Sequence, residues 1–171
     1  VFNIKEGETT TIDLDIRQSS SEISVLGSFD SETIITKDGK DVSILSQTGR
    51  GYYVVAVLGV GQEPTNHALH DIEKMKKAFE DWGRPVVLLF ESEADAHKFN
   101  KDEFANLPST VIYGIDKDAT VRNRIATAMK LQSKTQMPMF IIADTFNRVV
   151  FVSQGYTIGL GEQMSNVFNK L

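Results

Sequence analysis

A chain of 171 residues with 41% apolar and 24% charged side chains has the length and balance of one globular domain, with or without a small appendage. A net charge of −5, most of it within residues 1–50, leaves no basic surface for tracking phosphates and argues against a nucleic-acid partner, and no apolar run reaches the ~18 residues of a membrane span. With no cysteine, disulfides, zinc-thiolate sites, iron–sulfur clusters and thiol catalysis by this chain are excluded together.

Residues 1–28 read as a β-rich extension. Val1 to Ile4 leads through a turn at Gly7 into Thr9–Ile16, where Ile12, Leu14 and Ile16 alternate with polar residues as in a half-buried strand. A Ser-rich joint at 17–22 follows, and Ile23, Val25 and Leu26 allow one more short strand before Gly27. Because the chain starts inside a predicted strand, the extension is expected to be the end of an upstream module, with the main domain spanning 29–171.

The main domain opens on a hairpin, Thr33–Thr36 and Val42–Leu45, around an Asp38-Gly39 turn. A Gly-containing loop at 47–51 precedes Tyr53–Leu58, whose unbroken apolar run predicts a strand covered on both faces. Pro64 suits the first helical position. Leu69, Ile72, Met75, Phe79 and Trp82 then form one apolar helix face, ended by Gly83 and Pro85. Val86–Phe90 is a second buried strand, completing a βαβ unit.

Ser92 and Asp95 mark the cap of a short helix to Phe99, and Val111–Ile115 is a third strand. A helix starting at Asp116 or Asp118 turns Val121, Ile125 and Ala128 inward, with Arg122, Arg124, Lys130 and Lys134 read as its solvated face and exit. Met139–Ala143 and Val149–Val152 form a hairpin, and the last helix buries Met164, Val167, Phe168 and Leu171. Helices on both faces of a mixed sheet follow, an α/β/α sandwich.

Three segments, Thr33–Leu45, Val54–Thr65 and Gln136–Asp144, in this order resemble a thioredoxin-like domain of the bacterial thiol–disulfide interchange and peroxiredoxin kind. The resemblance covers residues 29 to 171. It implies a thioredoxin-like three-layer mixed sheet, a cis Met137–Pro138 bond, and an active-site turn at Gln62-Glu63-Pro64-Thr65. Where such proteins carry their two cysteines this chain has Gln62 and Thr65, although Pro64 between them is kept. Stretches 49–55 and 61–72 are further similar to the carboxy-terminal part of large exported transglutaminase-like proteins of anaerobic gut bacteria. That likeness implies a periplasmic or extracellular location.

Thiol exchange needs a thiolate, which neither an amide nor a neutral hydroxyl supplies. The plain reading of 62–65 is a helix start. The functional reading is a retained groove, formed by Gln62, Glu63, Pro64, Thr65, Met137 and Pro138, that holds an extended peptide through main-chain hydrogen bonds. His67 and His70, three apart on one helix with Asp71 and Glu73 near, could begin a metal site but need a third ligand, and the remaining histidine is His97. Solvated residues on an outward helix face are the plainer account, and no metal or other cofactor is expected.

Gly59-Val60-Gly61 after a strand lacks the third glycine of a dinucleotide fingerprint. No Gly-x-Ser-x-Gly elbow is present either. Beside a metal-dependent activity through His67 and His70, two functions remain. One is a redox-inactive module that binds a protein or peptide, including an upstream domain of the same chain. The other is an accessory domain of a transglutaminase-like or protease-like enzyme whose catalytic residues lie before Val1.

Overall fold

The computed structural model describes residues 25–28, 34–131 and 137–171. The expected hairpin and joint at 1–22, with Ile23, Thr33, Lys134 and Gln136, lie outside them.

The architecture is built on two apolar strands, β4 (Tyr53–Leu58) and β5 (Val86–Phe90), each buried along its whole length. They run parallel, and β6 (Val111–Ile115) continues the parallel set beyond β5. On the other side of β4, β7 (Met139–Ala143) and β8 (Arg148–Gln154) pair antiparallel. Beyond β6 lies the hairpin β2 (Ile34–Lys37) and β3 (Lys40–Ser43). With β1 (Gly27–Ser28) on β8, the order among the described residues is β1-β8-β7-β4-β5-β6-β2-β3.

Because strand side chains alternate between faces, the sheet separates two cores. On one face Val54, Ala56, Leu58, Leu88 and Phe140 pack with Leu69 and Ile72 of α2 (Glu63–Lys74), Phe79 of α3 (Lys76–Trp82), and Met164 and Phe168 of α6 (Leu160–Phe168). On the other, Tyr53, Val55, Val57, Leu89 and Ile141 meet Ile44 of α1 (Ile44–Thr48) and Val121 and Ile125 of α5 (Thr120–Ala128). The remaining helix, α4 (Glu93–Lys98), has its cap in Ser92, whose hydroxyl accepts the Asp95 N–H at 3.1 Å. The mixed sheet between two helical layers agrees with the expected fold class.

Four local readings change. The second hairpin strand ends at Ser43 rather than Leu45, because the Ser43 hydroxyl accepts the Ser46 N–H at 3.1 Å and starts α1. Gly49, at a φ of 68°, closes that helix. The single helix expected over 64–82 breaks at Met75, where φ and ψ are −103° and 19°. The break coincides with the crossing of α6: a Cβ on Gly161 would meet the Met75 Cγ at 2.9 Å and the Asp71 carbonyl oxygen at 3.0 Å. Strand β8 runs two residues past Val152, and Leu171, beyond the end of α6, is exposed rather than buried.

At the sheet edge, Gly27 and Ser28 pair with Val149 and Arg148. A Cβ on Gly27 would lie 3.0 Å from the Ala128 carbonyl oxygen, so this short strand sits tightly on the end of α5. Residues assigned to the extension thus share the sheet of the main domain.

Candidate functional site

The carboxyl ends of the parallel strands β4 and β5 are where open α/β sheets place ligands, and this end carries the candidate turn. After Leu58 the chain turns through Gly59–Gly61, with the Gln62 N–H donating to the Gly59 carbonyl at 3.1 Å. Gln62 is extended and caps α2 with its backbone, accepting the Asn66 N–H at 3.2 Å, while its side chain caps nothing. Pro64 lies in the first helical turn, where its missing N–H is not needed.

Thr65 faces inward. It is 1% exposed, and its hydroxyl accepts the Gly59 N–H at 3.0 Å. It closes the turn from beneath instead of lining the groove. A Cβ on Gly59 would lie 2.7 Å from the Gln62 Oε1 and 3.0 Å from the Met137 Cβ, so the Gln62 side chain and Met137 both close over Gly59.

From the opposite side comes the Met137–Pro138 segment, whose peptide bond is cis. It is held by Met139, which pairs with Val57, and by the Pro138 carbonyl, which accepts the Gly155 N–H at 2.9 Å. Between this segment and the turn runs an open groove of about 790 Å3. Of the expected residues, Gln62, Glu63, Pro64 and Met137 line it, as does His67. Glu91, Arg122, Gly155 and Tyr156 complete the walls.

Two acid–base contacts mark those walls. Glu63 Oε1 lies 3.0 Å from His67 Nε2, and the His67 ring stacks on Tyr156 with centroids 5.4 Å apart. Glu91 Oε2 accepts from Arg122 Nη1 at 2.6 Å, both side chains being about a third exposed. Arg122 is placed by its own backbone, because the buried Asp116 carboxylate accepts the Val121 N–H at 2.7 Å and the Arg122 N–H at 3.0 Å. Burial pushes the Asp116 carboxyl above its ordinary range, and those two N–H groups and the Arg122 charge pull it partly back.

The reading of Arg122 as part of a solvated helix face is therefore corrected: its guanidinium is largely buried and paired with Glu91, the residue directly after β5. Glu91 and Tyr156 were missed. The one available signal was position, a charged residue directly after a fully apolar strand.

His67 and His70 diverge. His67 faces Tyr156, whereas His70 lies against Phe104, its nitrogens 2.8 Å from Glu73 and 3.5 Å from Glu103. Among the described residues no group of three or more His, Asp or Glu side chains could hold a metal ion. Nor is any helix among them long and apolar enough to cross a membrane. At the far end of β4, the buried Tyr53 hydroxyl donates to Asn147 at 2.6 Å, and burial together with the Asp144 charge raises its pKa. Tyr53 is core and Tyr52 rim.

The fold is thioredoxin-like, on the strength of solved structures. A protein described as a thiol:disulfide interchange protein DsbE from Chlorobium tepidum is 16% identical, with a TM-score of 0.60 over 87% of this chain and 99% of that one. The thioredoxin domain of a Bacteroides vulgatus thiol-disulfide oxidoreductase is also 16% identical, with a TM-score of 0.59 over 86% and 100%. The bacterioferritin comigratory protein of Xanthomonas campestris reaches 0.63 at 8% identity over 85% and 98%. A thioredoxin-like protein from Bacteroides caccae, 14% identical with a TM-score of 0.56, is matched over 80% of this chain and only 46% of its own length. No family model matches the chain, and no curated protein is similar to it in sequence.

Proposed function

We propose that this chain is a redox-inactive thioredoxin-fold binding module whose groove, between the Gly59–Thr65 turn and Met137–Pro138, holds an extended protein or peptide segment. The observation that carries this reading is that the groove is open while the two positions where the resembled proteins carry cysteines hold Gln62, folded over Gly59, and Thr65, buried beneath it. Without a thiol no mixed disulfide or other thiol-based intermediate forms, which supports reading the groove as a redox-inactive binding site. Orphan N–H groups in the first turn of α2 and the exposed backbone at the rim supply main-chain hydrogen bonds, and Pro64, Met137 and Tyr156 supply apolar contact. By resemblance, the module belongs to an exported bacterial protein and works in the periplasm or outside the cell.

Two measurements test this. Insulin reduction by the purified chain with dithiothreitol should match the blank, and turnover above it ends the redox-inactive reading. Titrating isotope-labelled protein with reduced, carboxymethylated insulin B chain should shift amide signals of Gln62, Glu63, His67 and Tyr156. Absence of shifts there removes the binding reading.

A second reading is an accessory domain of a longer enzyme, transglutaminase-like or protease-like. Its support is the Bacteroides caccae structure, in which a similar fold occupies under half of a longer chain. The full reading frame tests it: a Cys–His–Asp set upstream sustains it, and a mature start at Val1 removes it.

A further inference from the structure

We propose, resting on the groove reading above, that Arg122 selects the segment bound there by accepting an acidic side chain from it. In the groove Glu63 contacts the His67 ring, and Glu91 forms an ion pair with Arg122. The second pair is incomplete on one side. Arg122 commits one guanidinium nitrogen to Glu91 and makes no other side-chain hydrogen bond among the described residues. A guanidinium carries five N–H donors in a planar fork suited to carboxylates, so donors remain on a side chain that lines the groove. Its position is not left to side-chain flexibility, since Asp116 holds the Arg122 backbone and Glu91 its tip.

The partner already seated on Arg122 is itself a carboxylate, which shows the chemistry this guanidinium accepts in place. The direction of approach is also restricted. On the far side of Glu91 lies a second trough of about 500 Å3 lined by Asp41, Glu93 and Asp118, with Lys117 as the cation facing them. Arg122 lines the groove and not that trough, so an incoming acid meets it from the groove, beside Pro64, Met137 and Tyr156. The bound segment is then an extended peptide with an Asp or Glu next to apolar residues.

The test uses three fluorescein-labelled heptapeptides, Gly-Ser-Leu-X-Leu-Ser-Gly, in which X is Asp, Asn or Lys, with affinity read by anisotropy on the intact chain. The Asp peptide is expected to bind about fivefold more tightly than the Asn peptide, a preference that shrinks as salt rises. Arg122→Gln should erase the preference, Arg122→Lys should weaken it, and Glu91→Gln should enlarge it by freeing the guanidinium. The last change separates selection from a merely structural ion pair, whose loss would weaken all three peptides alike. Equal binding of the three, or an Asp preference that survives Arg122→Gln, overturns this inference and leaves the groove reading standing. No binding by any of them, with no amide shifts at Gln62 or Tyr156, overturns both.

Discussion

The Thr65 hydroxyl accepts the N–H of Gly59 at 3.0 Å, so the last residue of the 62–65 turn serves as that turn's inner brace. That bond is buried, and the Gly59 N–H has no water to fall back on. Thr65→Val keeps the shape and removes the acceptor, which should cost about 1–3 kcal/mol. Thr65→Ser should recover most of it. Urea unfolding of the three proteins checks this, and an unchanged Thr65→Val would show the brace to be idle.

Gly59 and Gln62 are coupled by contact. Gly59→Ala drives a methyl toward the Gln62 amide and the Met137 Cβ, and should destabilise by about 1–3 kcal/mol. The Gln62 amide is the far end of a flexible side chain and can be cut away. In a Gln62→Ala background the same Gly59→Ala change should therefore cost less, by at least ~0.5 kcal/mol. Strict additivity in the double mutant would mean that the clash falls on Met137 alone.

Asp116 makes stability depend on pH. Its carboxyl is raised by burial, so between the ordinary carboxylate range and the raised value the folded state holds more protons than the unfolded state. Stability from this group is complete below the ordinary range and is lost as pH rises through the folded value. Glu80 moves oppositely, since its carboxylate accepts the Ser109 N–H. The readout is thus a difference: the denaturation midpoint of the native chain minus that of Asp116→Asn should fall as pH climbs through this window. A flat difference would contradict the buried charge.

Trp82, the single tryptophan, stacks on Phe168 with centroids 3.8 Å apart and planes 7° from parallel. Phe79 meets the same ring edge-on at 5.0 Å. Phe168→Ala should cost about 3–5 kcal/mol and shift the Trp82 emission to longer wavelength as water reaches the indole. An unchanged spectrum would mean that α6 does not cover α3 in solution.

Periodicity and turn chemistry carried much of the architecture. The apolar runs at 53–58, 86–90 and 139–143, the Asp38-Gly39 turn, and the Gly83 stop each depend on residues close in sequence, and each lies where local rules put it. The loss of thiol chemistry needed composition alone. Other features depended on partners distant in the chain. The break at Met75 coincides with Gly161 pressing on it from α6, and a largely buried Arg122 depends on a glutamate 31 residues earlier. The groove itself joins residues 62–67 to 91, 122, 137 and 155–156. Backbone preference acts over a few residues and can be read along a line, whereas burial, ion pairing and cavity walls arise where separate elements meet in space, and no local pattern encodes them.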